Sequence, residues 1–481
     1  MQKSKTILLT IFVFVFLFNS YAQEPAAGKA WTLEQCIDYA LKNNISVKQS
    51  ELTTQIAKIN LTQSEANLLP NLNGNASHSY NFGRTIDRFT NEFATQQVLS
   101  QNVSLSSDVT LFGGLQSYNT IKENQYNFLA SKYDIDKMKN DISLSIAGAY
   151  LQILYNIEAL DNATNQMGIT SAQVDRTQKL VDAGSAAMGA LLDIQAQLAT
   201  EELNVTNAQN NLDISYLSLA QLLNMKTAEG FTIVKPEIAM ANDALLTATP
   251  AQIYNTAVNN LPEMKSADTK VMASDKALSV ARGALSPRLS FSASYGSGYS
   301  GASQRLSSAP TFQGYSPDGS VTSAGDYVLS PTFSTPEYEK IPYADQYKNN
   351  VNKSFGFFLT VPIFNRFQTK GAIDRAKIQI QSAQLNAEST KLNIQKNIQQ
   401  AYADANGALK KYSSTQKALT AMQESFKYTE QKYNVGMVNT TDYNTAKNKL
   451  ITTQSQLLQA KYEFVFKTKV LDFYQGKPLK F

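Results

Sequence analysis

Cysteine and histidine are almost missing from this chain. Its 481 residues include one cysteine, Cys36, and one histidine, His78. A single cysteine allows no intrachain disulfide, and Cys36 falls within a helical pattern that marks it as core. One histidine excludes most Ser-His-Asp arrangements, and the two together exclude nearly every zinc-ligand spacing. No glycine-rich loop ending in Lys-Ser or Lys-Thr offers a phosphate cradle. Gly296, Gly298 and Gly301 have dinucleotide-loop spacing on paper, but no helical pattern follows them, and that chemistry needs the strand–turn–helix context. Glu201-Glu202 is a carboxylate pair on a helical pattern, where such charges are expected to be solvated. No enzymatic activity, no cofactor and no metal is expected.

Charge is scarce as well. Charged residues make up 17% of the chain and the formal net charge is +4. Nothing in that balance points to nucleic acid. Long apolar runs are absent except at the start, where Ile7–Phe18 follows Lys3 and Lys5 and precedes Ser20-Tyr21-Ala22. The run is well short of the roughly 20 residues that a spanning helix needs. Residues 1–22 therefore read as a secretory leader with a mature start at Gln23. Its loss removes two lysines and takes +4 to +2. No cysteine stands at the cleavage site, so no lipid-anchored N-terminus is expected.

What the chain does have is a long, unbroken heptad. Ile394, Ile398, Ala401, Ala405, Ala408, Tyr412, Thr415, Leu419, Met422, Phe426, Thr429 and Tyr433 alternate spacings of four and three. That spacing holds one helix face against a partner. It stops at Asn434-Val435-Gly436, a helix end with its glycine, and resumes with Tyr443, Ala446, Leu450, Thr453, Leu457, Ala460 and Phe464. The expectation is two long helices folded back at Gly436.

The same hairpin occurs twice. Subtracting 252 from those positions gives Ile142, Ile146, Ala149, Ile153, Asn156, Leu160, Ala163, Met167, Thr170, Val174, Thr177 and Val181, and takes Gly436 to Gly184. Upstream the offset is 217, which takes Thr32 to Thr249, Asn43 to Asn260 and Pro70 to Pro287. The difference, 252 − 217 = 35 residues, is an insertion between Tyr295 and Ser354 in the second copy. The chain therefore reads as two structural repeats, 23–230 and 250–481, joined by a packed connector over 231–249 with a short strand at Phe231–Val234. Thr32–Leu69 is expected to be helical with a break at Asn43-Asn44.

Between helical stretches the period changes from helical to two. The strands are expected at about 72–82 and 103–112 in the first repeat and at about 289–299 and 354–364 in the second, with an outer loop over 296–353. Each has one apolar row and one row of small polar residues, at about the length that a tilted membrane strand needs. His78 sits in an apolar row where the second repeat has Tyr295, an interfacial aromatic position. Four strands close no barrel, and lipid tolerates no open edge, so several copies must share one barrel. Three copies give a barrel of about twelve strands.

With these residues in hand, the chain resembles the TolC-like outer-membrane efflux family over essentially its whole mature length. The most specific stretch is the tip Tyr433-Asn-Val-Gly436-Met-Val-Asn439-Thr-Thr-Asp442, which is similar to the family's periplasmic entrance. The junctions Leu111-Phe112-Gly113-Gly114 and Pro362-Ile363-Phe364-Asn365 look like the family's strand-to-helix junctions. The resemblance implies a mainly α fold with membrane β: a homotrimer with a 12-stranded β-barrel in outer-membrane lipid and a periplasmic α-barrel. It also implies a periplasmic adaptor protein and an inner-membrane efflux pump as partners. At the tips it implies roles for Tyr433, Gly436, Asn439, Asp442, Gly184 and Asp193.

The sequence departs from the family's salt-bridge lock at two positions: Val438 stands where some members have arginine, and Ala190 stands where aspartate is common, with Asp193 three residues on. Asp442 reads either as one of three carboxylates facing a common axis or as a helix N-cap, and the two roles can coexist. Tyr433 is a gate residue or the last seam position. Two other functions stay open: the duct of a type I protein-secretion system, and a coiled-coil envelope protein without a pore.

Overall fold

The computed structural model describes residues 30–86, 91, 93–94, 97–236 and 248–479. The expected leader at 1–22 and most of the connector's second half lie outside the described residues. The chain divides into two units, and each draws on both halves of the sequence. Among the described residues, one holds those within 1–56, 129–269 and 384–481, and the other those within 57–128 and 270–383.

The first part of the chain forms α1 (Leu33–Asn43) and α2 (Ile45–Ala66). Thr32 caps α1 in a reciprocal box with Gln35, so two orphan N–H groups are satisfied at once. Asn44 separates the helices with an extended backbone, as the Asn43-Asn44 pair predicts. The second repeat does the same in α5 (Pro250–Asn260) and α6 (Pro262–Gly283), with a Thr249–Gln252 box and an extended Leu261. Thr32, Asn44 and Ala66 become Thr249, Leu261 and Gly283 at the 217 offset.

The long helices repeat with the same fidelity. These are α3 (Gln116–Asp182) and α4 (Met188–Leu222) in the first half, and α8 (Gln368–Asn434) and α9 (Thr440–Tyr474) in the second. Each bound is displaced by 252 from its counterpart. At 67 residues, α3 and α8 are each about 100 Å long. Every seam position named above is buried or half-buried, while their neighbours on the helix are mostly exposed. The seam therefore predicted which face packs.

Two apolar clusters lie in the first unit. One gathers Cys36, Ile146, Tyr150, Ile153, Leu154, Leu219 and Phe231; the other gathers Ile253, Ala257, Ile394, Ile398, Ala405 and Leu471. The expected strand at Phe231–Val234 is a single parallel bridge, Trp31 to Ile233, whose backbone bonds run Trp31 to Thr232 and Val234 to Trp31, both 2.9 Å. Tyr150 donates its hydroxyl to the Val234 carbonyl at 2.6 Å.

In the second unit, β1 (Asn73–Asn81), β4 (Val98–Gly113), β5 (Arg288–Ser300) and β10 (Asn352–Thr360) form one antiparallel sheet in the order β1-β4-β5-β10. Two bounds differ from expectation. β4 begins at Val98 rather than near 103, because Val98–Asn102 pairs with β1 through Asn81. β10 ends at Thr360 rather than near 364, where Pro362 has no N–H for a ladder. Gly296 to Ser300 lie within β5, so that glycine run is strand and not a phosphate loop. β2 (Thr85–Ile86) and β3 (Phe93–Ala94) form a separate small antiparallel pair, between β1 and β4 in the chain. The outer loop is largely ordered into secondary structure. It contains β6 (Gln304–Ser308), β7 (Phe312–Val321), β8 (Tyr327–Phe333), β9 (Glu337–Lys340) and α7 (Tyr343–Asn349). No period announced these, because hairpin strands exposed on both faces need none.

Candidate functional site

The second hairpin turns through Gly436, whose φ is +79°, a backbone region that a side chain disfavours. Met437 N–H reaches back to the Lys432 carbonyl at 2.9 Å, and Gly436 N–H to Tyr433 at 3.0 Å. This is the glycine helix stop with its two backward bonds. The first tip repeats it at Gly184 (φ +73°), where Ser185 bonds to Leu180 at 2.7 Å and Gly184 to Val181 at 2.8 Å.

Asn439 is the N-cap of α9, its side-chain oxygen accepting the Asp442 N–H at 2.8 Å. Asp442 is therefore not the cap, which corrects one of its two expected roles. It lies exposed in the first turn of α9, where the helix dipole favours a carboxylate. Asp193 is exposed on α4, beyond its first turn. Tyr433 is half-buried and its ring stacks on Tyr443, with centroids 4.6 Å apart. That places it at the end of the seam.

The two hairpins of one chain meet just above these turns. Arg176 donates to Asn434 at 3.0 Å, and Tyr443 donates to Gln173 at 3.1 Å. Burial and the nearby Glu430 charge push the Tyr443 hydroxyl up to about 12. Deeper in the seam, Lys447 of α9 lies 3.6 Å from Glu201 of α4, and their side chains are only 4% and 3% exposed. Thr170 of α3 donates its hydroxyl to Glu201 and accepts from Lys447 at 2.5 Å. The expectation that Glu201 is solvated is thus wrong. Burial holds the Lys447 ammonium below the ordinary lysine range, against the opposing pull of Glu201. A signal for Glu201 was present in the sequence. It continues the heptad run Leu191, Ile194, Leu198, which Val205, Ala208 and Leu212 extend beyond it.

A cavity of about 520 Å³ opens beside this cluster, lined by Gln166, Gln197, Glu201, Asn204, Asn448 and Thr452 among others. The Gln166 side-chain nitrogen and the Asn444 side-chain oxygen are buried without a partner nearby. Polar amides of this kind bind water and one another, but they supply no nucleophile. The arrangement suits a joint between helices that can change its packing.

In the second unit the strand–helix junctions share one conformation. Gly114 and Leu115 have φ of +62° and +60°; Arg366 and Phe367, at the 252 offset, have +54° and +61°. Gly114 is required on a second ground, since a Cβ there would lie 2.2 Å from the Gly283 carbonyl oxygen. Gly113 keeps an ordinary φ and Asn365 bonds its side chain to Thr369. Phe112 and Phe364 are 48% and 71% exposed, and Phe364 meets Phe367 edge to face at 5.6 Å.

Comparison with known proteins accords with this geometry. The family model described as outer membrane efflux protein matches residues 36–225 and 253–467. The cation efflux system protein CusC of Escherichia coli K12 is 22% identical over 433 residues, covering 89% of this chain and 82% of CusC. The outer membrane protein TolC of Escherichia coli K12 is 21% identical over 446 residues, covering 91% and 80%. Among solved structures, the outer membrane protein VceC of Vibrio cholerae superposes with a TM-score of 0.73 at 14% identity, covering 93% of this chain and 97% of VceC. The protein resides in the outer membrane, and the chain belongs to the outer membrane efflux protein family.

Proposed function

We propose that this protein is the exit duct of a tripartite efflux system. Three copies share a 12-stranded barrel, and the helical hairpins receive cargo from a periplasmic adaptor and an inner-membrane pump. The observation that carries this reading is the four-stranded sheet with β1 and β10 as its edges. One face presents Leu289, Phe291, Phe355, Phe357 and Leu359; the other presents Ser292 bonded to Asp108 and Ser294 bonded to Ser354. An apolar outside and a hydroxyl-lined inside suit a barrel wall around water. Unpaired edges in lipid would leave N–H and C=O groups unsatisfied at several kcal/mol each, so other copies must complete the ladder.

The tip around Gly184 and Gly436 is read as the gate. Val435 and Met437 are 71% and 75% exposed there, an apolar pair for an adaptor to cover. Asp442 from three chains forms the acidic ring, which favours cations over anions. With Val438 and Ala190 in place of a tip lock, the buried Lys447–Glu201–Thr170 cluster links the two hairpins. Opening separates or re-registers those hairpins while each keeps its own seam. Purified protein added to a planar lipid bilayer tests the reading. Discrete, long-lived conductance steps support a duct; a membrane-bound protein without conductance rejects it in favour of a non-pore envelope protein.

A further inference from the structure

β5 runs four residues past the point where β10 begins. Asn352 pairs with Gly296, and beyond it Ser297 to Ser300 have no strand on that side. The short helix α7 takes the place of the missing strand. Gln346, 2% exposed, accepts from the Ser300 N–H at 2.9 Å and donates to the Ser300 carbonyl at 3.0 Å. Asn350 donates to the Gly298 carbonyl at 2.8 Å, and Ser297 donates to the Tyr347 carbonyl at 2.6 Å. An open strand edge is thereby covered by side-chain amides.

The helix also places rings on one face of the sheet. Tyr343 stands 4.9 Å from Tyr299 and 4.7 Å from Tyr347, centroid to centroid. Both tyrosine hydroxyls turn to the Gln101 side-chain oxygen, and the Gln101 nitrogen meets His78 Nδ1 at 2.7 Å. His78, Gln101 and Tyr299 are cross-strand partners. By strand alternation they share the face of Val103, Leu105, Tyr295, Phe291 and Leu289. This is the apolar face, and the polar ends of its aromatics gather at one end. Lys353 lies on the same face with its ammonium 5.8 Å from the Tyr295 ring, and Lys348 is exposed on α7.

Distance decides what this end meets. From Tyr299 to Leu289 is ten residues of one strand, roughly 33 Å, and a tilt near 45° reduces that to about 24 Å of height. An outer-membrane barrel shows an apolar band of about 25 Å flanked by aromatic girdles. At the opposite end of the band stand Phe112, paired with Leu289, and the exposed Phe364 and Phe367.

We propose that α7, Tyr299, Tyr343 and Tyr347 form an external collar seated in the outer-leaflet headgroup layer, with Lys348 and Lys353 placed for lipid phosphates. The collar rests on the shared-barrel reading, because only closure of the sheet turns its apolar face towards lipid. Tyrosine rings span the boundary between hydrocarbon and water, and lysine stems reach from apolar surface to anionic groups.

The test reconstitutes the full-length oligomer in vesicles, with Trp31→Phe as background since Trp31 is the only tryptophan. Tyr347→Trp and Phe357→Trp are compared, with Lys348→Trp as a second collar probe that leaves the tyrosines intact. Quenching by headgroup-nitroxide phosphatidylcholine should exceed quenching by mid-chain brominated lipid at least about twofold for the collar probes, and the order should reverse at 357. A collar probe quenched only by aqueous iodide, beside a lipid-quenched Trp at 357, overturns the collar and leaves the barrel standing. If 357 is also untouched by lipid quenchers, the barrel reading itself fails. In the Lys348→Ala/Lys353→Ala double variant, the preference of Tyr347→Trp for phosphatidylglycerol nitroxide over phosphatidylcholine nitroxide should vanish. An unchanged preference removes the lysines from the site.

Discussion

Lys447 and Glu201 sit on different hairpins of one chain and form a buried pair, 3.6 Å apart with under a twentieth of either side chain exposed. Thr170 completes it as an acceptor for one charge and a donor to the other. Such a pair is weak evidence for stability, because both ions have left water, but removal of one partner strands the other. Lys447→Met is expected to destabilise the helical unit by about 3–5 kcal/mol, and a Lys447→Met/Glu201→Leu double variant to recover most of that loss. Thermal melts of the detergent-solubilised protein read both. A double variant as unstable as the single one would show that the pair itself, rather than its imbalance, holds the helices.

The same pair has a channel readout. If it links the hairpins at the gate, the double variant should conduct more often or more strongly than wild type while its fold stays intact. Unchanged open probability in planar bilayers would confine the pair to a packing role.

Asp442→Ala should raise single-channel conductance or weaken cation preference, since it removes one carboxylate per chain from the tip. Because Asn439 caps the helix, the substitution loses only a favourable dipole contact of roughly 0.3–1 kcal/mol, and the hairpin should still form. Reversal potentials in a salt gradient measure the selectivity. Identical values before and after would take Asp442 out of the gate.

The junction offers a stability test free of any functional assumption. Arg366 occupies a left-handed position that its counterpart fills with Gly114. Arg366→Gly is expected to stabilise the sheet unit by about 1 kcal/mol, since a left-handed backbone strains a residue with a Cβ by roughly that amount. Gly114→Ala should be strongly destabilising, given the 2.2 Å approach of its new Cβ to the Gly283 carbonyl oxygen. Midpoints of denaturation that move the other way for either variant would contradict the strain argument.

Alkaline pH should loosen the helical unit. Burial raises the hydroxyl pKa values of Tyr150 and Tyr462 well above the ordinary tyrosine range, and that of Tyr443 to about 12. Protons held more tightly in the fold than in the unfolded chain stabilise the fold below pH 10. That contribution is lost as pH rises from about 10 through the folded values. Absorbance at the phenolate band should therefore show a late, cooperative step that coincides with loss of helix. Smooth ionisation of all tyrosines near pH 10 with helix intact would refute it.

Much of this was legible from spacing alone. The heptad named the packed face because 3.5-residue periodicity leaves no choice of face, and the glycines at 184 and 436 marked turns that only a left-handed residue closes well. The capping boxes at Thr32 and Thr249 carry a signal that heptad spacing misses, although Thr-x-x-Gln is a readable signature. The Glu201–Lys447 pair was hidden for another reason. The heptad run puts Glu201 on the packed face, but nothing in the spacing names its partner, which lies on the other hairpin of the chain. The outer segment over 296–353 offers no period, because its exposed hairpin strands have no apolar row to betray them and α7 is too short for a helical period.

The shared barrel is tested most directly by the mass of the protein extracted in detergent from outer-membrane fractions, measured by light scattering with the detergent subtracted. A stable particle of three chains, each of 53.0 kDa as the full sequence, is the expected result. A monomer or dimer, with the β1 and β10 edges left to detergent, would contradict the shared barrel and the duct with it.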